Sequence, residues 1–298
     1  MTVQDNATQP STIAVRSGTV LAALGVVSFS FSFPATVWAL DGFGPWTATG
    51  VRGLLAGLLA GACLFGARVP VPERRHWPGL LTVAAGCGVG FPLLTTLALQ
   101  TSSTAHSAVV IGMLPLATAA ISSALTGRRP SRGFWTAAGT GSLTVVAFTL
   151  QQNHGLPTLG DVYLFGALLM CAAGYAQGGR LASHMPGWQV IAWGVVAALP
   201  VSVLVAALAL PAEPVQLTTK AVTGMAYVAA VSQFGAFVVW YRGMAIIGVP
   251  KASQLQLAQP LLTLVWSVLL MGEELSPLAP VAALAVLGCI VAAQRARS

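Results

Sequence analysis

Arg52 stands inside the apolar run "GPWTATGVRGLLAGLLAG", where it is the one charged side chain. A charge in hydrocarbon is costly and ordinarily faces protein or water. A guanidinium in that position has three readings: it binds a solute carboxylate through its two-pronged fork, it snorkels to the nearer end of its run, or it pairs with Asp41. Neutral polar groups interrupt other apolar runs: Tyr175 and Gln177, Ser232 and Gln233, and Gln254, Gln256 and Gln259. Amides in an apolar medium need partners, and Gln256 and Gln259, three apart, share one helical face. Phe91, Met113, Phe237 and Trp240 add apolar surface within such runs. One cation, several amides and several rings suit reversible binding of a small zwitterionic or amphipathic solute. The candidate binding set is therefore Arg52, Phe91, Met113, Tyr175, Gln233, Phe237, Trp240, Gln256 and Gln259.

Bond-breaking chemistry has less support. No His/Asp or Cys/His cluster falls at one depth of the runs. Cys63, Cys87, Cys171 and Cys289 lie singly in apolar stretches, in no metal-ligand spacing, and read as small buried apolar side chains. Gly86, Gly88 and Gly90 resemble a phosphate loop superficially, but no strand precedes them; close helix packing is their expected use. No enzyme activity, cofactor or metal is expected. His106, near the start of a run, reads as a terminal anchor, as does Lys251.

These residues must be positioned by membrane helices. Of 298 residues, 56% are hydrophobic and 7% charged, against about 25% charged in soluble domains, and the mean hydropathy is +0.80. Runs of about 20 apolar residues span bilayers as helices, and no strand-like alternation of barrel type occurs. The fold class is all-α integral membrane. Ten spans are expected, near 18–40, 45–67, 78–99, 104–126, 133–151, 160–182, 188–210, 221–241, 251–271 and 277–294. Residues 1–17 form a polar tail. The first run is long for a signal peptide and ends in Trp38 and Leu40, so it reads as a retained span. Trp46, Trp77, Trp135 and Trp188, with the Trp240–Tyr241–Arg242 end of span 8, read as interfacial anchors.

Charges then orient the chain. Of its 14 Lys and Arg residues, twelve fall in the tails and the links 2/3, 4/5, 6/7 and 8/9, Lys220 falls in link 7/8, and Arg52 is within span 2. Asp41, Asp161, Glu213, Glu273 and Glu274 occupy the opposite links. The positive-inside rule places both termini in the cytoplasm, in a bacterial-type inner membrane. "GRRPS" at 127–131 and "GEELS" at 272–276 share their first and last residues, and Pro115 and Pro260 precede them at the same offset. A five-span repeat inserts its second copy upside down, so the same local structure takes opposite charge on opposite sides. Two inverted repeats follow, 18–151 and 152–298, an arrangement common in secondary transporters. Gly53, Gly57 and Gly61 form a small-residue stripe for helix packing. Pro34, Pro92, Pro115 and Pro260 are expected to kink their spans and widen or hinge a central cavity.

The stretches "ALQTSSTAHSAVVIGMLPLATAAISSALTGRRPS" and "GMAIIGVPKASQLQLAQPLLTLVWSVLLMGEELS" resemble the EamA-type repeats of the drug/metabolite transporter superfamily, as does the second span with its Arg52. The second copy keeps the family's Glu as Glu273; the first has Arg128 there, which puts any general role for that acid in doubt. The resemblance covers nearly the whole chain from Gly18. It implies a ten-helix exporter of metabolites, with the YddG-like exporters of aromatic and other amino acids as one type. The expected partners are a small-molecule substrate and the lipid bilayer, not nucleic acid, and the expected state is a monomer or weak oligomer. Facilitated export is expected, since no carboxylate lies mid-span and no nucleotide motif occurs. Two alternatives stay open: export of drugs or hydrophobic cations, which the lack of a buried anion weakens, and a non-transporting scaffold or sensor.

Overall fold

The computed structural model describes residues 12–127, 131–152, 156–247, 252 and 255–295. Arg128, Arg129, Lys251 and Gln254 lie outside the described residues. Among the described residues the regular structure is helical, with no strand.

Span 1 is two helices, Thr12–Ser30 and Ser32–Leu40, and span 2 one helix, Pro45–Gly66. Span 3 runs through Trp77–Val83, the π-helical turns Ala84–Gly90 and Phe91–Ala98. Span 4 is broken into Thr104–Ile111 and Leu114–Thr126. Spans 5, 6 and 7 are Arg132–Gln152, Leu159–Leu181 and Gly187–Ala209. Span 8 runs through Thr219–Ala226, the π-helical Tyr227–Gly235 and Ala236–Ile247. Spans 9 and 10 are Ala258–Met271 and Leu278–Arg295.

Spans 1–4 and 6–8 are long and apolar enough to cross a bilayer, and spans 9 and 10 are shorter apolar helices. Span 5 is rich in threonine. Its Thr136, Thr140 and Thr144 hydroxyls bond back to the carbonyls of Gly133, Thr136 and Thr140 at 2.9–3.0 Å. Such back-bonding pairs these three hydroxyls without a partner from lipid.

Two boundaries differ from expectation. Span 1 begins at Thr12, so Arg16 is already helical. Span 8 continues to Ile247, so Trp240, Tyr241 and Arg242 do not close it. Trp240 is instead buried against span 1: a Cβ on Gly25 would lie 2.9 Å from the Trp240 Cβ, so only a glycine admits the indole there. Spans 2 and 7 pack as the glycine stripe predicts. Cβ atoms on Gly53 and Gly57 would fall 2.3 Å from Ser202 Oγ and 2.4 Å from Leu199 Cδ2, and close approach of this kind holds membrane helices together.

The links assort into two ends. Asp41, Glu213, Lys220 and Glu273 meet the starts of spans 2 and 4 at one end, where Asp161 begins span 6. His76 and His184 meet at the other, ring centroids 5.4 Å apart, with Arg74, Arg75 and Arg180 beside them in sequence. Successive spans therefore alternate in direction, and span 6 runs opposite to span 1. The repeats also match in detail at an offset of 145 residues. Gly127 and Gly272 both cap a helix with left-handed backbone, φ 67° and 66°, the conformation glycine adopts freely. The break at Gly112–Met113 corresponds to that at Leu257, and both π-helical segments end on equivalent glycines, Gly90 and Gly235. The fold is two inverted five-helix repeats.

Candidate functional site

The broken and π-helical segments converge. Proline cannot donate to the carbonyl four residues back, so Pro34 frees Ser30 O and Pro92 frees Gly88 O. Both carbonyls are captured by the other repeat. Thr263 Oγ1 donates to Ser30 O at 2.9 Å, and Gln233 Nε2 donates to Gly88 O at 2.8 Å. Tyr227 Oη likewise donates to Ser28 O at 3.0 Å. Gly88 and Gln233 are the same position in the two repeats, so this bond lies on the pseudo-two-fold axis.

Arg52 docks on that axis. Its Nε donates to Gln233 Oε1 at 2.5 Å and one Nη lies 3.4 Å from Ser232 Oγ. The orientation of the Gln233 amide follows: its oxygen must accept from the guanidinium and its nitrogen must donate to Gly88 O. Ser232 Oγ in turn shares a 2.7 Å hydrogen bond with Ser32 Oγ. The guanidinium is 6% exposed, and among the described residues no carboxylate touches it. Asp41 pairs with Lys220 instead, which removes the Arg52–Asp41 reading, and burial removes the snorkelling one.

Beside Arg52 is a chamber of about 590 Å³, whose walls include Phe29, Ser32, Phe33, Arg52, Phe91 and Tyr175, with Ser232, Gln233, Phe237, Gln259 and Thr263. Its polar wall is the Arg52–Gln233–Ser232 network. Its aromatic wall is Phe237, edge-on to Phe29 at 4.7 Å and to Tyr175 at 6.1 Å between centroids. A second cleft of about 450 Å³ adjoins it between spans 4 and 9, sharing Phe33, Ile111, Leu114, Gln259 and Thr263 and adding Gln256, Pro115 and Pro260. Among the described residues the side-chain amides of Gln256 and Gln259 make no hydrogen bond within the protein. The chamber's walls come from both repeats.

The EamA-like transporter family matches twice along the sequence, over residues 16–150 and 158–293. The chain belongs to the EamA-like transporter family. This EamA-like transporter is 39% identical over 279 residues to the uncharacterized transporter YdeK of Bacillus subtilis (strain 168), covering 94% of this chain and 97% of that one. A solved crystal structure, 21% identical, superimposes with a TM-score of 0.62 over 93% of this chain and 98% of that one, a likeness of fold.

In this EamA-like transporter, Arg52, Phe91, Tyr175, Gln233, Phe237 and Gln259 share one chamber wall, and Gln256 lines the adjoining cleft. Met113 and Trp240 line neither. Met113 packs toward Gly141 of span 5, because the break beside it turns the side chain outward, and Trp240 fills the Gly25 notch. Phe29, Ser32, Phe33 and Thr263 were not expected at the site. The alternating "SFSFSFP" at 28–34 was the available signal, a serine–phenylalanine stripe that no single helical face can bury. Among the described residues Pro34, Pro115 and Pro260 follow helix breaks by two to three residues. His106 is not a terminal anchor. Its Nε2 lies 2.6 Å from Asp161 Oδ1, with the side chains 7% and 1% exposed, and its ring stacks on Phe148. A buried His/Asp pair therefore exists at the acidic end. Cys63 is exposed on the helix surface rather than buried.

Proposed function

We propose that this transporter exports small zwitterionic metabolites, amino acids above all, through the chamber beside Arg52. The observation that carries this reading is a buried guanidinium whose partners among the described residues are all neutral. Removing a buried charge from water is costly unless another charge answers it, and a solute carboxylate answers a guanidinium with two parallel hydrogen bonds. The amides of Gln256 and Gln259 supply unused polar partners, and the Phe29–Phe237–Tyr175 wall suits an apolar or aromatic side chain, in keeping with a YddG-like preference. The same cation opposes binding of cationic drugs. Alternating access arises from rocking of the two repeats about the broken spans, with the arginine-rich end cytoplasmic in an inner membrane and the solute moving down its gradient.

Efflux from proteoliposomes loaded with single labelled amino acids tests this. Efflux of several neutral and aromatic amino acids, saturable and competed by one another, is the expected result. Faster efflux of a hydrophobic cation, with none of any amino acid, overturns it. Accumulation against a gradient only when a pH difference is imposed overturns the facilitated mode.

A further inference from the structure

Two cysteines that the binding network leaves unused stand where spans 3 and 6 cross. Cys87 belongs to the π-helical turns of span 3, and Cys171 to the middle of span 6. The crossing is tight enough to bring backbones together: a Cβ on Gly86 would fall 2.3 Å from the Met170 carbonyl oxygen, and one on Gly174 would fall 2.6 Å from Cys87 Sγ. Cys87 Sγ lies 4.0 Å from the Cys171 carbonyl oxygen. Cys87, Cys171 and Tyr175 stand together on one lining. Both cysteines are free and both line the chamber, whereas Cys63 and Cys289 do not. Cys87 belongs to the first repeat and Cys171 to the second.

We propose that Cys87 and Cys171 form an inter-repeat dithiol, a covalent modification site on the chamber wall for thiophilic agents that take two sulfurs at once, and that bridging it locks the repeats and stops transport. The locking part rests on the alternating-access reading above. A neutral organic arsenic(III) oxide is the matching chemistry. Two As–S bonds form, the As–O bonds break, and both thiol protons leave with the oxygen as one water; arsenic stays trivalent, so no oxidant is needed. One arsenic atom bridges two sulfurs without the approach to about 2.05 Å that a disulfide demands. The π-helical turns that carry Cys87 have one extra residue per turn to redistribute, which gives that sulfur room to adjust.

The test uses the C63A/C289A protein, so that the pair alone can react, with a protease site inserted at residues 153–155 between the repeats. It is reconstituted in liposomes and treated with phenylarsine oxide. The expected adduct is one phenylarsenic group per chain with loss of both free thiols, reversed by 2,3-dimercaptopropanol but not by an equal concentration of a monothiol. After cleavage the halves stay together on a denaturing gel, and they separate when the dithiol is added. Efflux of a labelled amino acid falls at least about tenfold and recovers with the dithiol. In C87S and C171S backgrounds, whatever efflux remains has the same rate with and without reagent. Two independent adducts, or halves that separate after treatment, overturn the dithiol site. Bridged halves with undiminished efflux overturn the lock. Untreated vesicles that move no amino acid count against the proposed substrate alone, because the adduct mass and the gel decide the dithiol without any solute.

Discussion

Arg52 is held by Gln233 and Ser232 without being neutralised, and that difference sets its expected behaviour. Truncating one partner of a buried charge pair costs about 2–5 kcal/mol, a factor of roughly 30 or more in binding. Arg52→Gln should therefore weaken amino-acid efflux by about 30-fold or more at low solute concentration. Arg52→Lys should recover only part, since a lysine keeps the charge and loses the fork. Gln233→Glu makes a sharper prediction. It places a carboxylate on the guanidinium and removes the donor to Gly88 O, so a carboxylate of the proposed solute would meet an occupied cation. Efflux should fall about as far as in Arg52→Gln while the protein stays folded; labelled-solute efflux with a melting curve in detergent measures both. Arg52 and Gln233 were legible because a charge and an amide inside apolar runs each demand an explanation. Phe29 and Phe33 were not, because a phenylalanine in a membrane helix packs against lipid, protein or solute with no difference in local sequence. The His106–Asp161 pair was equally hidden: its members are 55 residues apart, and only the crossing of spans 4 and 6 joins them.

At the scale of the helices, the site is built from places where regular hydrogen bonding fails. Spans 1 and 3 each lose a backbone bond to proline, and a side chain of the other repeat takes the freed carbonyl. Thr263 is the cleanest example, since its hydroxyl donates to Ser30 O and its methyl keeps the shape of valine. Thr263→Val should leave Ser30 O buried without that donor, a loss of about 1–3 kcal/mol, read as a lower melting temperature than that of Thr118→Val, whose hydroxyl already has no partner. The ten spans and their alternation were legible from hydropathy and from the sorting of arginines, both global consequences of the bilayer. The breaks were only half legible. Proline announces a missing donor, but whether the helix bends at the proline, parts two or three residues earlier or widens into π turns depends on which neighbour receives the carbonyl. For Gly88 that neighbour is Gln233 from the opposite repeat. Span 8 ran past its expected end because Gly25 on span 1 makes room for Trp240, a fit between distant residues.

Across the whole molecule, the two ends of the bundle are closed by unequal means. At the acidic end each described polar clasp joins one repeat to the other. Glu213 accepts from the backbone N–H of Trp46 and Thr47 at 3.3 and 2.7 Å, and Glu273 accepts from Thr104 and Ala105 at 2.7 and 2.9 Å. Asp161 holds His106, and Lys220 holds Asp41. Two of these are carboxylates seated on helix N-termini, where orphan N–H groups and the helix dipole both favour an anion. The GEELS acid thus acts across the repeat interface, as a clasp on span 4. At the arginine-rich end, among the described residues, the repeats meet through rings, His76 against His184 and Trp77 against Trp193, and through no carboxylate clasp. Rocking the repeats to open the acidic end must break the carboxylate clasps. Each is worth up to about 1–2 kcal/mol, so Glu213→Ala with Glu273→Ala should shift the balance between closed and open by roughly 10-fold or more. With Cys63 and Cys289 replaced, a membrane-impermeant maleimide added from the acidic side should label Cys87 about 10-fold faster in the double variant. Labelling from the arginine-rich side should slow, because the two openings compete for one population of molecules. Equal acceleration from both sides would mean that the clasps merely hold the fold together and do not select which end is shut.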